Sequence, residues 1–332
     1  WSFTDINYAI ASKEDKTSMF LDYSELLNAL DSGASAKITI YNRRINKAEF
    51  ERSVLLPDKD DGLDEYRHEF NQMLTAQVTG TSNSIVRERY LTVSVVKRNP
   101  DEARSYFARV GTDLVTHLAQ LSSVANELTL AERLHIFRDF FKAGEQAAAE
   151  FNIHEHAKRG QHFKDWFGPD SMEFAADHFK LDARYGRVLY LQDYASYIKD
   201  SFVSELCDLD RDLMLSIDIL PVPTDEAARQ LQSTLLGVET NVANWQRRQN
   251  ANNNFTATIP YDMELQRKET KEMLDDLTTR DQRMMFGLVT LVHLADNKEQ
   301  LDSDTETLYS TARKHLCQLS TLRWQQKDGL DT

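Results

Sequence analysis

The run Met284-Met-Phe-Gly-Leu-Val-Thr-Leu-Val-His-Leu294 begins the stretch that decides the fold, which extends to Leu322. A continuous apolar run of this kind is typical of a buried strand. Asp296 and Asn297 end the run, and a helical pattern follows as far as the segment Gln318-Leu-Ser-Thr-Leu322. The stretch therefore predicts a strand, a helix and a second strand in succession.

The same plan occurs earlier in the chain, at the constant offset that separates Thr92 from Thr290. Arg89-Tyr-Leu-Thr-Val-Ser-Val-Val96 is the strand of this earlier copy, Asn99 begins its helix, and Gln120-Leu-Ser-Ser-Val124 ends it. Identical residues recur at that offset without a gap: Thr92/Thr290, Asn99/Asn297, His117/His315, Gln120/Gln318, Leu121/Leu319 and Ser122/Ser320. We interpret this as one strand–helix–strand unit used twice. Chance similarity is the alternative.

Length and composition define the class of protein. A chain of 332 residues is too long for one small core, and 41% hydrophobic with 28% charged residues is typical of a globular chain. We expect two subdomains, 1–150 and 151–332. The formal net charge of −14 disfavours direct binding of nucleic acid, because an acidic surface repels phosphate.

Strand and helix patterns alternate in an order that indicates an α+β fold. Further strands are predicted at 8–11, 37–41, 46–56, 187–191, 213–220 and 319–325, and helices at 23–30, 63–77, 99–121, 131–149, 197–206, 224–250 and 261–279. Local crossovers and one buried face for each strand predict two related ferredoxin-like (split βαβ) subdomains. A longer connection in the second copy predicts an inserted helical hairpin, 224–279. The final residues, 327–332, are predicted to be a linker.

The hairpin offers the main candidate for a binding surface. Its first helix carries a coiled-coil-like seam: Leu231, Leu235, Val238, Val242 and Trp245. Tryptophan and arginine are common anchors of protein interfaces. The cluster of Trp245, Arg247 and Arg248 therefore predicts a partner surface. In the alternative interpretation, the seam only packs on the second hairpin helix.

Motifs for catalysis are missing from the sequence. It has no phosphate-binding loop, no G-x-G-x-x-G, no G-x-S-x-G and no H-E-x-x-H. We therefore expect no enzymatic activity and no cofactor in this chain. Cys207 and Cys317 do not form a C-x-x-C pattern, and we expect both to be reduced, mostly buried thiols.

Several clusters could suggest a metal site, and each has a simpler interpretation. The histidines His154, His156, His162 and His178 lack metal-ligand spacing and are predicted to lie at the surface or in loops. We interpret Asp208, Asp210 and Asp212 as a polar approach to the next strand, and Asp302, Asp304 and Glu306 as a solvated helix face. The segment 58–62 is predicted to be a solvated turn, because Pro57 occupies the first position of a possible calcium loop.

Four phrases of the sequence carry a resemblance to a known family. They are Leu213-Met-Leu-Ser-Ile-Asp-Ile-Leu-Pro-Val-Pro-Thr-Asp-Glu-Ala227, Gly237-Val-Glu-Thr-Asn-Val-Ala-Asn-Trp-Gln-Arg-Arg-Gln249, Leu277-Thr-Thr-Arg-Asp-Gln-Arg-Met-Met285 and Gln300-Leu-Asp-Ser-Asp-Thr-Glu306. With these phrases the chain resembles type IV secretion ATPases of the CagE/TrbE/VirB family, in particular those carried by integrative conjugative elements of Gram-positive bacteria. The resemblance covers essentially the whole chain.

The resemblance implies the N-terminal region of such an ATPase, without the C-terminal motor that carries the Walker motifs. ATP and Mg²⁺ are expected only in that motor, so no catalytic residue is carried over. The implied role is docking of the motor to membrane-embedded channel subunits at the cytoplasmic face of the plasma membrane, together with assembly into homo-oligomers. Trp1 is not a natural start, and we expect the chain to be a piece of a longer protein.

Two further hypotheses concern nucleic acid and nucleotide. A ferredoxin-like sheet can stack bases on aromatic residues, and the central strands offer Tyr41 and Tyr90, so a nucleic-acid handling module is the alternative function. Arg280 or Arg283 could reach the nucleotide of a neighbouring subunit. For both arginines an intramolecular ion pair is the favoured interpretation.

Overall fold

The structure is a computed structural model that describes residues 1–44, 54–59, 61–80, 85–142, 152–160, 162–195, 197–252, 254, 258–280 and 282–332. The strands are β1 (Ser2–Phe3), β2 (Ala34–Arg44), β3 (Ile85–Val95), β4 (Ala125–Asn126), β5 (Met172–Phe174), β6 (Phe179–Leu181), β7 (Arg184–Asp193), β8 (Leu213–Pro221), β9 (Met285–Ala295) and β10 (Gln318–Thr321). The helices are α1 (Lys13–Asn28), α2 (Asp64–Gly80), α3 (Pro100–Gln120), α4 (Leu130–Phe141), α5 (Ile153–Lys158), α6 (Phe163–Phe167), α7 (Phe202–Leu206), α8 (Thr224–Ala251), α9 (Tyr261–Thr279), α10 (Lys298–Lys314) and α11 (Gln326–Asp331).

The strands of the described residues join one antiparallel sheet. Its order is β4-β1-β3-β2-β8-β9-β7-β6-β5, and β10 pairs with β7 on a branch from this path. The prediction of an α+β fold is confirmed. Strands β2 and β8 pair from Ala36 opposite Ile219 to Asn42 opposite Leu213, so the sheet continues across both predicted subdomains. The division at residue 150 stays a prediction.

The two halves of the sheet have the same strand order. In the first half the order is β4-β1-β3-β2, and in the second half it is β10-β7-β9-β8. The helix starts of the predicted repeat are also alike. Asn99 caps α3 with φ −149° and Asn297 caps α10 with φ −148°, and each side chain accepts a hydrogen bond from the backbone N–H three residues later.

The ungapped correspondence of the repeat is wrong beyond the helix. Helix α3 has 21 residues and α10 has 17, so the second copy leaves its helix about one turn earlier. As a result Gln120 is the last residue of α3, whereas Gln318 is the first residue of β10. Identical residue types at this offset therefore occupy different structural positions after the helix.

Apolar side chains form cores on both faces of the sheet. On one face, α1 and α3 cover β2 and β3, and α7 and α10 cover β7, β8 and β9. On the opposite face, α4, β6 and residues near α11 pack on a cluster around Tyr41, Val188 and Val292. Each large apolar side chain buried in this way contributes about 1.5–3 kcal/mol.

Both ends of the chain differ from the prediction. Residues 8–11 form a turn and its exit, and the short strand of this region is β1, where the Trp1 carbonyl accepts a hydrogen bond of 2.8 Å from the Leu91 N–H. The predicted linker 327–332 is mostly the helix α11. Its Gln326 is 1% exposed and accepts a hydrogen bond of 2.9 Å from the Val188 N–H. Gly329 fits closely there, because an added Cβ would lie 2.4 Å from a methyl carbon of Leu322.

Some predicted elements are longer or shorter than the patterns indicated, or extend outside the described residues. The helix predicted at 23–30 begins at Lys13, and the one predicted at 197–206 begins only at Phe202. Most of the strand predicted at 46–56 and residues 143–149 of the helix predicted at 131–149 lie outside the described residues. Within the described part, that helix is α4.

Candidate protein-binding surface on the helical arm

The helices α8 and α9 form the predicted hairpin, and we call residues 224–279 the arm. Helix α8 has 28 residues, so it is about 42 Å long. It begins after Pro223 with Asp225 and Glu226 in its first turn, where carboxylates interact favourably with the helix dipole. Helix α9 has the bounds that the sequence predicts. The arm is thus the longest helical feature of the described residues.

The two helices of the arm pack on each other along the predicted seam. Leu231, Val238 and Val242 are buried. Glu239 of α8 pairs with Lys271 and Arg267 of α9 at 2.9 and 3.5 Å, and the hydrogen bond from Lys271 lowers the pKa of the Glu239 carboxyl. The seam therefore serves the contact between the two helices, as the alternative interpretation expects.

The base of the arm is fixed to the sheet and to α1. Val222, Ala227, Leu231 and Leu277 form one apolar cluster, which Met284 also contacts. These contacts define the direction in which the arm leaves the sheet.

A second set of contacts joins the base of the arm to the end of α1. The Asn28 amide donates to Gln282 at 2.9 Å and accepts from the Arg283 N–H at 3.2 Å. The Arg283 guanidinium donates to the Leu30 carbonyl. An ion pair was expected for Arg283, and the structure instead uses it to satisfy the carbonyl that follows α1. The expected ion pair of Arg280 is present, with Asp276 at 2.7 Å.

The predicted partner surface lies near the far end of α8. Trp245 is half-buried at the end of the seam, and Arg247 and Arg248 are exposed. Neither arginine pairs with a carboxylate of the described residues. The structure therefore places an aromatic ring and two exposed positive charges within one turn of helix. The arginines remain free to contact a partner, whereas much of the ring is used within the arm.

The candidate metal residues are dispersed over the surface. His154 and His162 are exposed, His156 and His178 are half-buried, and His178 contacts Asp177 at 2.8 Å. In the part of the chain that the structure describes, no group of three histidine, cysteine or acidic residues could hold a metal ion.

The expectation of a solvated face at Asp302, Asp304 and Glu306 is wrong for Asp304, whereas Asp302 and Glu306 are exposed as expected. Asp304 is 5% exposed, accepts a hydrogen bond of 2.6 Å from Gln300 and lies 3.4 Å from Arg211. Asp302 pairs with Arg187 at 2.8 Å. Helix α10 turns these carboxylates towards basic residues of β7 and of the segment before β8, which lie far away in the sequence.

Arg187 is the centre of a buried polar network that the sequence did not reveal. It is 5% exposed and donates to the Thr305 hydroxyl at 2.8 Å, to the Asp177 carbonyl at 2.9 Å and to the carboxylates of Asp302 and Asp177 at 2.8 and 3.1 Å. The only signal in the sequence was that this charged residue begins the otherwise apolar strand predicted at 187–191. This network connects β7 to α10.

His293 completes the network at its buried side. The Thr305 hydroxyl donates its single proton to the Leu301 carbonyl, so it accepts from Arg187 and from the Nε2–H of His293, which lies 3.1 Å away. His293 is fully buried, and its Nδ1 has no hydrogen-bond partner among the described residues. Burial, with a smaller effect of the Arg187 charge, lowers the pKa of His293 to about 3. The imidazole is therefore neutral at physiological pH.

A groove of about 670 Å³ lies on the sheet face that α4 and α11 border. Its floor carries hydroxyl groups of Thr39 and Ser216, 3.5 Å apart, and an ion pair of 3.2 Å between Lys37 and Asp218. The aromatic residue Tyr41 is 1% exposed under Phe140 and cannot stack a base.

The second aromatic residue proposed for base stacking is also engaged. Tyr90 is half-buried at the groove, and its hydroxyl donates to Glu88 at 2.5 Å. Burial and the neighbouring Glu88 carboxylate raise the pKa of Tyr90. Besides the hydroxyls and the paired Lys37 and Asp218, the groove lining carries Arg133, Glu127 and Asp331, so its charge is mixed and it lacks the predominantly basic surface that nucleic acid requires.

Both cysteines are free and buried, as predicted. Burial raises the pKa of the Cys207 thiol to about 11. Since the thiolate is the reactive species, we expect native Cys207 to be modified by iodoacetamide at pH 8 at least about 100-fold more slowly than in the unfolded chain. Mass spectrometry of the peptides from native and urea-treated protein measures this ratio. Equal rates in the two states would contradict the buried position.

Comparison with known proteins gives no family assignment. No sequence profile of a known protein family matches the chain, and no curated protein matches it significantly. Among the described residues, no helix combines the length and the apolar character needed to cross a membrane.

Proposed function

We propose that this chain is the non-catalytic docking and assembly domain of a conjugative-transfer, type IV secretion ATPase, the class of protein that its sequence resembles. Its partners are membrane-embedded channel subunits, its own ATPase motor and further copies of the chain, at the cytoplasmic face of the plasma membrane. ATP and Mg²⁺ belong to the motor. The observation that carries the proposal is the arm, with its fixed base and its exposed arginines.

The strand order also supports the predicted duplication of one structural unit. We propose that each half is a ferredoxin-like split βαβ unit, because the strand order within both halves places the fourth strand beside the first and the third between the first and second. The arm is then an insertion between the second and third strands of the second unit. Helix α2 occupies the corresponding connection of the first unit.

The arm has the physical properties of a docking element. Two helices that pack along a buried seam form a stiff rod, and the cluster at its base couples the rod to the sheet. Arginine and tryptophan at the far end supply the side chains that dominate many interface energies. A partner bound at this end would be held in a fixed position relative to the sheet, without any chemical step.

Capture of channel subunits by the immobilised chain tests the proposal. We expect the double substitution Trp245→Ala with Arg248→Ala to weaken capture at least about tenfold, since removal of one anchor residue commonly costs 1–2 kcal/mol or more. Arg229→Ala is the matched control, because Arg229 lies on α8 near the base of the arm.

The outcome is interpretable only for folded variants, which far-UV circular dichroism and the melting temperature establish. Unchanged capture by the folded double variant removes the arm as the docking surface. Equal loss in the Arg229→Ala control would show that the loss is not specific to the far end.

A further inference from the structure

Helix α2 carries an exposed apolar stripe. Leu63, which precedes the helix, and Tyr66, Phe70 and Met73 within it are 53%, 68%, 44% and 54% exposed. They follow one another at spacings of three and four residues, so they lie along one side of the helix. An apolar stripe of this kind is typical of a surface that another helix covers.

Exposed negative charges border this stripe. Glu65 and Glu69 are exposed, and neither has an ion-pair partner among the described residues. The basic residue of the same helix, Arg67, is already held by Asp61 and Asp64. The surface of α2 therefore favours a partner that combines apolar or aromatic groups with positive charge.

The far end of the arm has the complementary character. It presents Arg247 and Arg248, which have no carboxylate partner in the described chain, next to the half-buried ring of Trp245. Electrostatic complementarity of this kind fixes register and orientation at an interface. Two arginines on the arm and two glutamates on α2, none of which has an ion-pair partner among the described residues, thus have matching opposite charges.

The topology makes a contact between these surfaces within one chain unfavourable. Helix α2 lies in the connection that follows β2, and the arm follows β8. Because β2 and β8 run antiparallel, with Ala36 opposite Ile219 and Asn42 opposite Leu213, the two connections leave the sheet at opposite ends. Surfaces at opposite ends of one molecule meet readily when two copies associate head to tail.

We propose that the far end of the arm of one copy docks on the α2 stripe of a second copy. This inference rests on the proposed function, since it names a second copy of the chain as a partner of the arm. The contact is heterologous, so it produces rings or open chains rather than a closed dimer. The surface of a single helix is small, and we expect dissociation constants on the order of 10 to 100 µM.

Sedimentation velocity of the purified chain, from about 10 µM to about 1 mM, tests the contact. We expect the average mass to rise with concentration beyond that of a dimer. Arg247→Glu with Arg248→Glu, and separately Glu65→Lys with Glu69→Lys, should each weaken association at least about tenfold, because both place like charges in contact. Arg104→Glu on α3, an exposed site outside the proposed contact, is the control and should leave association unchanged.

Mixing the two double variants gives the decisive result. The arm of the glutamate-to-lysine variant is intact and fits the intact α2 of the arginine-to-glutamate variant, and the reversed charges also match each other. An equimolar mixture should therefore regain association to within about threefold of the original chain. A chain that stays monomeric at all concentrations, or a mixture that does not regain association, overturns the proposal.

Channel capture by the same variants separates this inference from the proposed function. For the Arg247→Glu, Arg248→Glu variant, loss of self-association with unchanged capture supports the contact between copies and removes the arm as the channel-binding surface. Loss of capture with unchanged self-association supports the docking function and overturns the contact between copies.

Discussion

Replacing Arg187 with methionine is expected to lower the free energy of unfolding by about 1–3 kcal/mol, because buried hydrogen bonds are lost whereas the carboxylates of Asp177 and Asp302 remain accessible to solvent. The substitution removes hydrogen bonds to Thr305, Asp177 and Asp302 and keeps much of the apolar stem. Thr305 and His293 stay buried without the guanidinium that organises them. Urea denaturation followed by circular dichroism measures the change.

Two comparisons define the mechanism of this loss. Arg187→Lys retains the charge but not the planar fork of donors. The free energy of unfolding of this variant should therefore lie between those of the methionine variant and the original chain. Arg104→Met removes an exposed ion pair with Asp101 and should change stability by less than about 0.5 kcal/mol. A loss below about 1 kcal/mol for Arg187→Met would show that the network contributes little.

The second large effect is a dependence of stability on pH that His293 causes. Its pKa is about 3 in the folded chain, against an ordinary value of 6.5. Below pH 6.5 the unfolded chain binds a proton at this histidine that the folded chain does not bind. The stabilisation that depends on neutral His293 should therefore be fully present above pH 6.5. Below pH 6.5 the free energy of unfolding should fall by about 1.4 kcal/mol for each pH unit, until the folded pKa is reached.

The upper part of this pH range distinguishes the effect of His293 from that of the carboxylates, which titrate at lower pH. Hydrogen bonds from Lys314 and His315 lower the pKa of Glu205 to about 2, so this group also loses stabilisation in acid, but only below its ordinary value of 4.5. Between pH 6.5 and 5 we expect a loss of about 2 kcal/mol in the original chain. His293→Gln should remove most of that slope. An unchanged slope in the variant would assign the dependence to another group.

Signals that are local in sequence predicted local structure well. Asn99 and Asn297 cap their helices, because a cap depends on residues within the next turn. The bounds of α9 and the burial of the arm seam at Leu231, Val238 and Val242 also follow from periodicity. The exposed arginines of the candidate surface could be placed from the sequence because they lie on the same helix as the seam.

Features that depend on distant partners could not be predicted in the same way. Asp302 and Asp304 have the sequence pattern of a solvated helix start, and only the fold brings Arg187 and Arg211 to them. Likewise, the segment 327–332 is polar enough to be interpreted as a linker, yet most of it belongs to a helix whose first residue, Gln326, hydrogen-bonds through its side chain to the backbone of β7 at Val188. Polarity alone does not distinguish a solvated side chain from one with a buried partner.

The pairing of β2 with β8 has a consequence for any attempt to separate the halves. Each strand lies inside the sheet because the other half supplies its neighbour. A chain divided at residue 150 would expose a long row of backbone donors and acceptors on each product. Such open edges recruit strands from other molecules, so the isolated halves should be prone to aggregation even where their own cores are intact.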